Sequence, residues 1–70
     1  MEKIVIYTPY ITLGQLLKIT NLISSGGEAK YFLSQKKVLV NNVEDNRRGR
    51  KLYPNDIVKV CGKEFLINDK

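Results

Sequence analysis

The sequence predicts an α+β fold: a pair of short helices packed on a small, mainly antiparallel β-sheet. Three observations carry that prediction. Apolar residues between positions 13 and 33 recur at helical spacing, whereas from Val38 onward they alternate. Turn-forming residues punctuate the second half at Asn41-Asn42, Tyr53-Pro54-Asn55-Asp56 and Gly62-Lys63. Finally, 70 residues that are 43% hydrophobic and 27% charged suit one small globular domain spanning 1–70, with no repeat, linker or low-complexity segment.

Residues 3–7 read as a short strand or extended arm, which Thr8-Pro9 ends. Thr12 then suits a helix N-cap, and Gln15 three positions on completes a capping-box pattern. Leu13, Leu16 and Leu17 form one apolar stripe. The helix fades at Thr20-Asn21, whose side chains compete for backbone hydrogen bonds, and Leu22 and Ile23 drop into the core. Ser25 and Glu28 repeat the capping-box pattern and predict a second helix. Its buried stripe is Ala29, Phe32 and Leu33, with Lys30 pointing elsewhere. The two helices are expected to set their leucine and phenylalanine faces together.

Val38, Val40 and Val43 alternate as a strand interrupted by a turn at Asn41-Asn42, residues that tolerate left-handed geometry. Pro54 presets the second position of the next turn. Ile57 to Cys61 reads as a strand, Gly62-Lys63 as a two-residue hairpin connection, and Glu64 to Ile67 as the returning strand. Cys61 is expected to be a buried structural thiol. One cysteine forms no internal disulfide, which favours a reducing, cytoplasmic setting. No apolar run is long enough to span a bilayer, and no export signal is evident.

The formal charge of +5 is unevenly spread. Residues 1–23 contribute +1, 24–42 contribute +2, 43–53 contribute +2 and 54–70 contribute nothing. Four of the twelve cations fall at Arg47, Arg48, Arg50 and Lys51, interrupted only by Gly49, on a connection between predicted strands. Three planar guanidinium forks and an ammonium are suited to gripping phosphate, and Gly49 lets backbone approach a ligand. The plain alternative is a solvated loop partly neutralised by Glu44 and Asp45. On the phosphate reading, replacing the three arginines is expected to weaken binding with little loss of thermal stability.

Other candidates extend this face. The free N–H groups at Ser25-Gly26-Gly27 can receive a phosphate, although Ser-Gly-Gly is equally a plain helix start. Lys30, Lys36 and Lys37 can line a groove together with the loop, with Lys18 a weaker candidate. Asn41 can bond a base or a 2′-hydroxyl, or else secure its own turn. Tyr31 and Tyr53 can stack on exposed bases, though tyrosines in so small a domain more often pack with a wet hydroxyl.

Catalysis finds no support. The chain has no His, its acids (Glu28, Glu44, Asp45, Asp56, Glu64, Asp69) are scattered, and its serines lack a partner base. The glycine pair does not fit a nucleotide-binding loop. No cofactor and no metal are expected.

The ordered spacing of Leu13 and Leu17, Ser25 and Ala29, Phe32-Leu33, Val38-Leu39-Val40-Asn41-Asn42 and Asn55-Asp56-Ile57-Val58-Lys59-Val60 resembles the ribosomal-protein S-four-type RNA-binding domain, or αL motif. The likeness covers residues 12–61. More narrowly, the segments 11–18, 25–30 and 46–52 look like a small stand-alone bacterial YaaA-type branch. Three positions depart from the pattern: Gly26 stands in place of a helix-two arginine, Lys36 in place of a glycine beyond that helix, and Asn42 in place of a turn glycine.

The resemblance implies a non-catalytic protein that contacts the phosphate backbone of structured RNA. It points to ribosomal RNA, with ribosomal particles as partners in a ribosome-associated or assembly role and no membrane. A monomer is favoured. Two other readings stay open: an adaptor whose basic loop docks an acidic protein, and double-stranded DNA binding through the same cations.

Overall fold

In the computed structural model, which describes residues 1–70, strand β1 (Glu2–Ile6) is followed by β2 (Ile11–Thr12) and helix α1 (Leu13–Ile19). A single 3-10 turn (Gly26–Glu28) runs directly into α2 (Ala29–Gln35). Five strands complete the chain: β3 (Val38–Val40), β4 (Val43–Glu44), β5 (Lys51–Leu52), β6 (Ile57–Val60) and β7 (Lys63–Asp69). The main sheet has the order β1-β7-β6-β3-β4, and β2 pairs with β5 in a separate antiparallel ribbon. Every pairing in the main sheet is antiparallel except β1 with β7. The architecture is therefore α+β, with two helices and a mostly antiparallel sheet.

The helices cover one face of that sheet. Ile4, Ile6, Val38, Val40, Val58, Val60, Phe65 and Ile67 point toward them, and Leu13, Leu16, Leu17, Ile23, Ala29 and Leu33 complete a common core with Ile11 and Leu52 from the ribbon. Leu13, Leu16, Leu17, Leu52 and Ile67 have no exposed surface. Burying a side chain of that size is worth roughly 1.5–3 kcal/mol, so this layer carries most of the stability.

Local chemistry explains α1. Thr12 Oγ1 accepts from Gln15 N–H at 3.2 Å, and Gln15 Oε1 accepts from Thr12 N–H at 2.8 Å, completing the predicted capping box. The helix ends through Asn21, which adopts φ 62°. Asn21 N–H donates to Lys18 O at 3.1 Å and Leu22 N–H to Leu17 O at 3.0 Å, the paired bonds of a Schellman ending. Leu22 and Ile23 then turn inward as expected, Ile23 fully and Leu22 in part.

Several expectations require correction. Ser25 stands at the N-terminus of the 3-10 turn, but its hydroxyl caps nothing. Glu28 reaches past it and accepts from Ser24 N–H at 3.2 Å, because the 3-10 turn shifts the spacing that a capping box requires. The approach of the helices runs through small residues: a methyl group on Gly14 would lie 3.7 Å from Ala29 Cβ, whereas Phe32 is only half-buried. Lys36 ends α2 in an extended conformation, φ −119° and ψ 138°, so the missing glycine is not needed there.

In the sheet, Val43 lies opposite Val40 yet is 65% exposed, since β4 is an edge strand beyond the helical cover. The β6–β7 connection is Cys61-Gly62, at φ 52° and 76°, with Val60 opposite Lys63. Cys61 is thus an exposed turn residue and not a buried strand thiol. The Asn41-Asn42 turn does adopt left-handed geometry, at φ 53° and 67°.

Candidate nucleic-acid interface

The basic connection between β4 and β5 is an ordered structure built on Asp45. This carboxylate is buried, with 7% of its side-chain surface exposed, and it accepts four hydrogen bonds. Arg47 N–H and Nε donate to Oδ1 at 2.9 and 3.1 Å; Arg47 Nη2 and Arg50 Nη1 donate to Oδ2, both at 2.8 Å. The Arg47 guanidinium holds the Asp45 carboxyl well below the usual carboxylate range. Its backbone N–H and Arg50 reinforce the effect, against an opposing push from burial. In return, the bond to Asp45 holds Arg47 above its ordinary value.

The expected neutralising role of nearby acids is therefore divided. Asp45 pairs with two arginines, while Glu44 pairs with no cation. Arg48 and Lys51 have no carboxylate within ion-pair distance. Segment 45–51 holds four cations against one carboxylate, a net +3. Pairing also does not exhaust Arg47: its side chain remains 69% exposed, with N–H groups free on its outer edge. Because Arg47 and Arg50 hold a buried anion, replacing all three arginines would lower stability, contrary to the sequence-based expectation.

A second set of bonds fixes the loop to α1. Leu13 N–H donates to Arg50 O at 2.8 Å, and Gly14 N–H donates to Arg48 O at 2.9 Å. Two of the N–H groups that a helix start leaves unpaired are thereby satisfied by loop carbonyls. The approach is close: a methyl group on Gly14 would meet Arg48 O at 3.3 Å, Arg48 Cβ at 3.6 Å and Ala29 Cβ at 3.7 Å. Gly14 is thus the junction of α1, the start of α2 at Ala29 and the basic loop at Arg48.

The remaining candidates occupy different neighbourhoods. Ser25, Gly26 and Gly27 are exposed, and no atom lies within 4 Å of a methyl group placed on Gly26. Gly49 is equally open and has no left-handed φ, so neither glycine is demanded by packing. Lys30 is exposed on α2. Lys36 and Lys37 border a shallow concavity with Glu44, Asp45 and Asn46 at the base of the loop. Asn41 is committed to structure: Nδ2 donates to Asp56 Oδ1 at 3.0 Å, and Oδ1 accepts from Ile57 N–H at 2.9 Å. It staples two turns together instead of securing only its own.

Sequence reasoning passed over Gly14, the hub role of Asp45, and Tyr10. Glycine in a first helical turn is a signal of close approach. Asp45 two residues before Arg47 fits an Asx-turn pattern. Nothing local marks Tyr10, which meets Tyr53 only across the β2–β5 ribbon.

A family model described as the S4 domain matches residues 4–68 of this chain, extending the likeness beyond 12–61 at both ends. Among curated proteins, the chain is similar to a probable ribosome maturation protein, RlbA, from Bacillus subtilis (strain 168). The two are 59% identical over 61 residues, covering 87% of this chain and 86% of that relative.

Proposed function

Because this chain belongs to the S4 domain family, we propose that it binds structured RNA, in particular folded ribosomal RNA, and serves ribosome maturation. It acts by contact, without chemistry of its own, as a cytoplasmic, monomeric single domain. One observation supports this above others: the Asp45-centred loop fixes two guanidinium groups and leaves Arg48 and Lys51 without acidic partners. Charges held in place before binding lose less conformational freedom on docking, which raises affinity. Arg48 and the outer edge of Arg47 offer planar forks to phosphate oxygens, with Lys51 as a point charge beside them. Lys30 and the open backbone at Ser25-Gly26-Gly27 extend the contact across the α1–α2 junction, and Lys36 and Lys37 extend it along the base of the loop. A helical RNA is then recognised by shape and backbone charge more than by sequence.

Salt titration of binding to a ribosomal RNA hairpin tests this reading. Each lost phosphate contact should reduce the log–log salt slope by roughly 0.7–0.9. Arg48→Ala is expected to lose about one contact without changing the melting temperature, since Arg48 holds no anion. An unchanged slope and affinity would exclude the loop as the contact. Equal competition by duplex DNA would exclude RNA selectivity, and retention of an acidic protein with no RNA affinity would favour the adaptor reading.

A further inference from the structure

The β2–β5 ribbon presents an aromatic surface that backbone contact does not use. Its register sets Ile11 opposite Leu52 and Thr12 opposite Lys51, and Ile11 and Leu52 are buried. Alternation along each strand therefore sends Tyr10, Thr12, Lys51 and Tyr53 outward. Tyr10 and Tyr53 meet there with ring centroids 5.7 Å apart and planes tilted by 46°. They remain 37% and 48% exposed, so part of each ring is open to solvent. Lys51 Nζ sits 4.9 Å from the Tyr10 ring centroid. Tyr53 also borders a shallow concavity of about 570 Å³ with Arg47, Gly49, Arg50, Lys51 and Asp56, whose carboxylate is engaged by Asn41 Nδ2 and Tyr53 N–H.

Resting on the RNA-binding reading, we propose that this tyrosine pair receives the base of an unpaired nucleotide, while Lys51 and the free outer edge of Arg47 receive its phosphate. A paired base offers no free face, whereas a bulged or looped base can leave its stack and lie on an aromatic ring. Two exposed rings beside two cations match the two parts of one nucleotide. Lys51 Nζ lies over the Tyr10 ring face, so the base takes the Tyr53 side of the pair while Lys51 turns from the ring toward the phosphate. The ligand class is thus a folded RNA with an unpaired nucleotide flanked by helix.

Three hairpin RNAs test this: one uninterrupted, one with a single-nucleotide bulge, and one whose bulge lacks its base. Dissociation constants are measured by fluorescence anisotropy at fixed salt for the wild type, Tyr53→Phe, Tyr53→Leu and Tyr10→Leu. The wild type should prefer the bulged hairpin over both others by about tenfold, in the range expected for one base on an aromatic ring. Tyr53→Phe, which keeps a ring, should keep that preference. Tyr53→Leu and Tyr10→Leu, which keep an apolar cover, should lose it while binding the uninterrupted hairpin as before. Equal wild-type affinity for all three RNAs would overturn the inference alone and needs no variant. A preference that survives in both leucine variants would also overturn it. Failure to bind any hairpin would overturn the RNA-binding reading and the inference together.

Discussion

Replacing Asp45 with Ala removes the acceptor around which the loop is built. The carboxylate takes four hydrogen bonds from two residues, and its side chain is 7% exposed. These bonds differ in weight. The Arg47 side chain is 69% exposed and its guanidinium rehydrates once released, so its fork contributes little. The Arg47 N–H bond lies within the partly buried turn, and a hydrogen bond to a charged group there is worth about 1.5–3 kcal/mol. Arg50, 29% exposed, falls between the two. A loss of about 2 kcal/mol follows, allowing for rehydration of both arginines. For a domain of this size that lowers the melting temperature by roughly 8–16 °C.

Acid supplies an internal control for the same variant. The carboxyl is held below its ordinary value of 3.8 in the folded protein, so its stabilisation is fully present above that value. It fades as pH falls, because protons then bind the unfolded chain before the folded one. Thermal unfolding followed by circular dichroism should show a large gap between wild type and Asp45→Ala at pH 7, narrowing progressively below about pH 4. A variant that melts within about 2 °C of wild type at pH 7 would refute the anchoring role, as would a gap that stays constant with acid.

Further outcomes follow from backbone geometry and exposure. Gly14→Val should destabilise the protein by more than 1 kcal/mol on the order of magnitude of an overpacked site, and should speed hydrogen exchange at the Gly14 amide, since the obstacle is the backbone oxygen of Arg48. Gly26→Ala, which meets nothing within 4 Å, should stay within about 0.5 kcal/mol of wild type by the same denaturation measurement. Cys61→Asn should stabilise by roughly 0.5–1 kcal/mol in urea unfolding, because asparagine tolerates the left-handed φ of 52° better and creates an Asn-Gly hairpin turn. The native Cys61 thiol should also react with a thiol reagent without prior unfolding, as its exposure requires.

The sequence alone determined whatever depends on neighbours within a few positions. The Thr12–Gln15 capping box, the leucine stripe of α1, the left-handed Asn41-Asn42 turn and the clustering of Arg47, Arg48, Arg50 and Lys51 all rest on local bonding, local sterics or adjacency. The strands at 57–61 and 64–67 were likewise legible, but their pairing was left open; in the fold Val58, Val60, Phe65 and Ile67 share the buried face. A Gly62-Lys63 connection and the actual Cys61-Gly62 connection shift the β6–β7 register by two residues, so both keep the same side chains inward. Only the folded molecule chose between them, setting Lys59 opposite Glu64, with Nζ and Oε2 3.4 Å apart. The fate of the cations was decided in the same way. Charge counts do not say which arginines a buried Asp45 takes and which it leaves, that Gly14 admits the carbonyl of Arg48, or that Tyr10 lies against Tyr53. Those facts depend on the approach of residues far apart in the chain, and local propensity has no term for such distances.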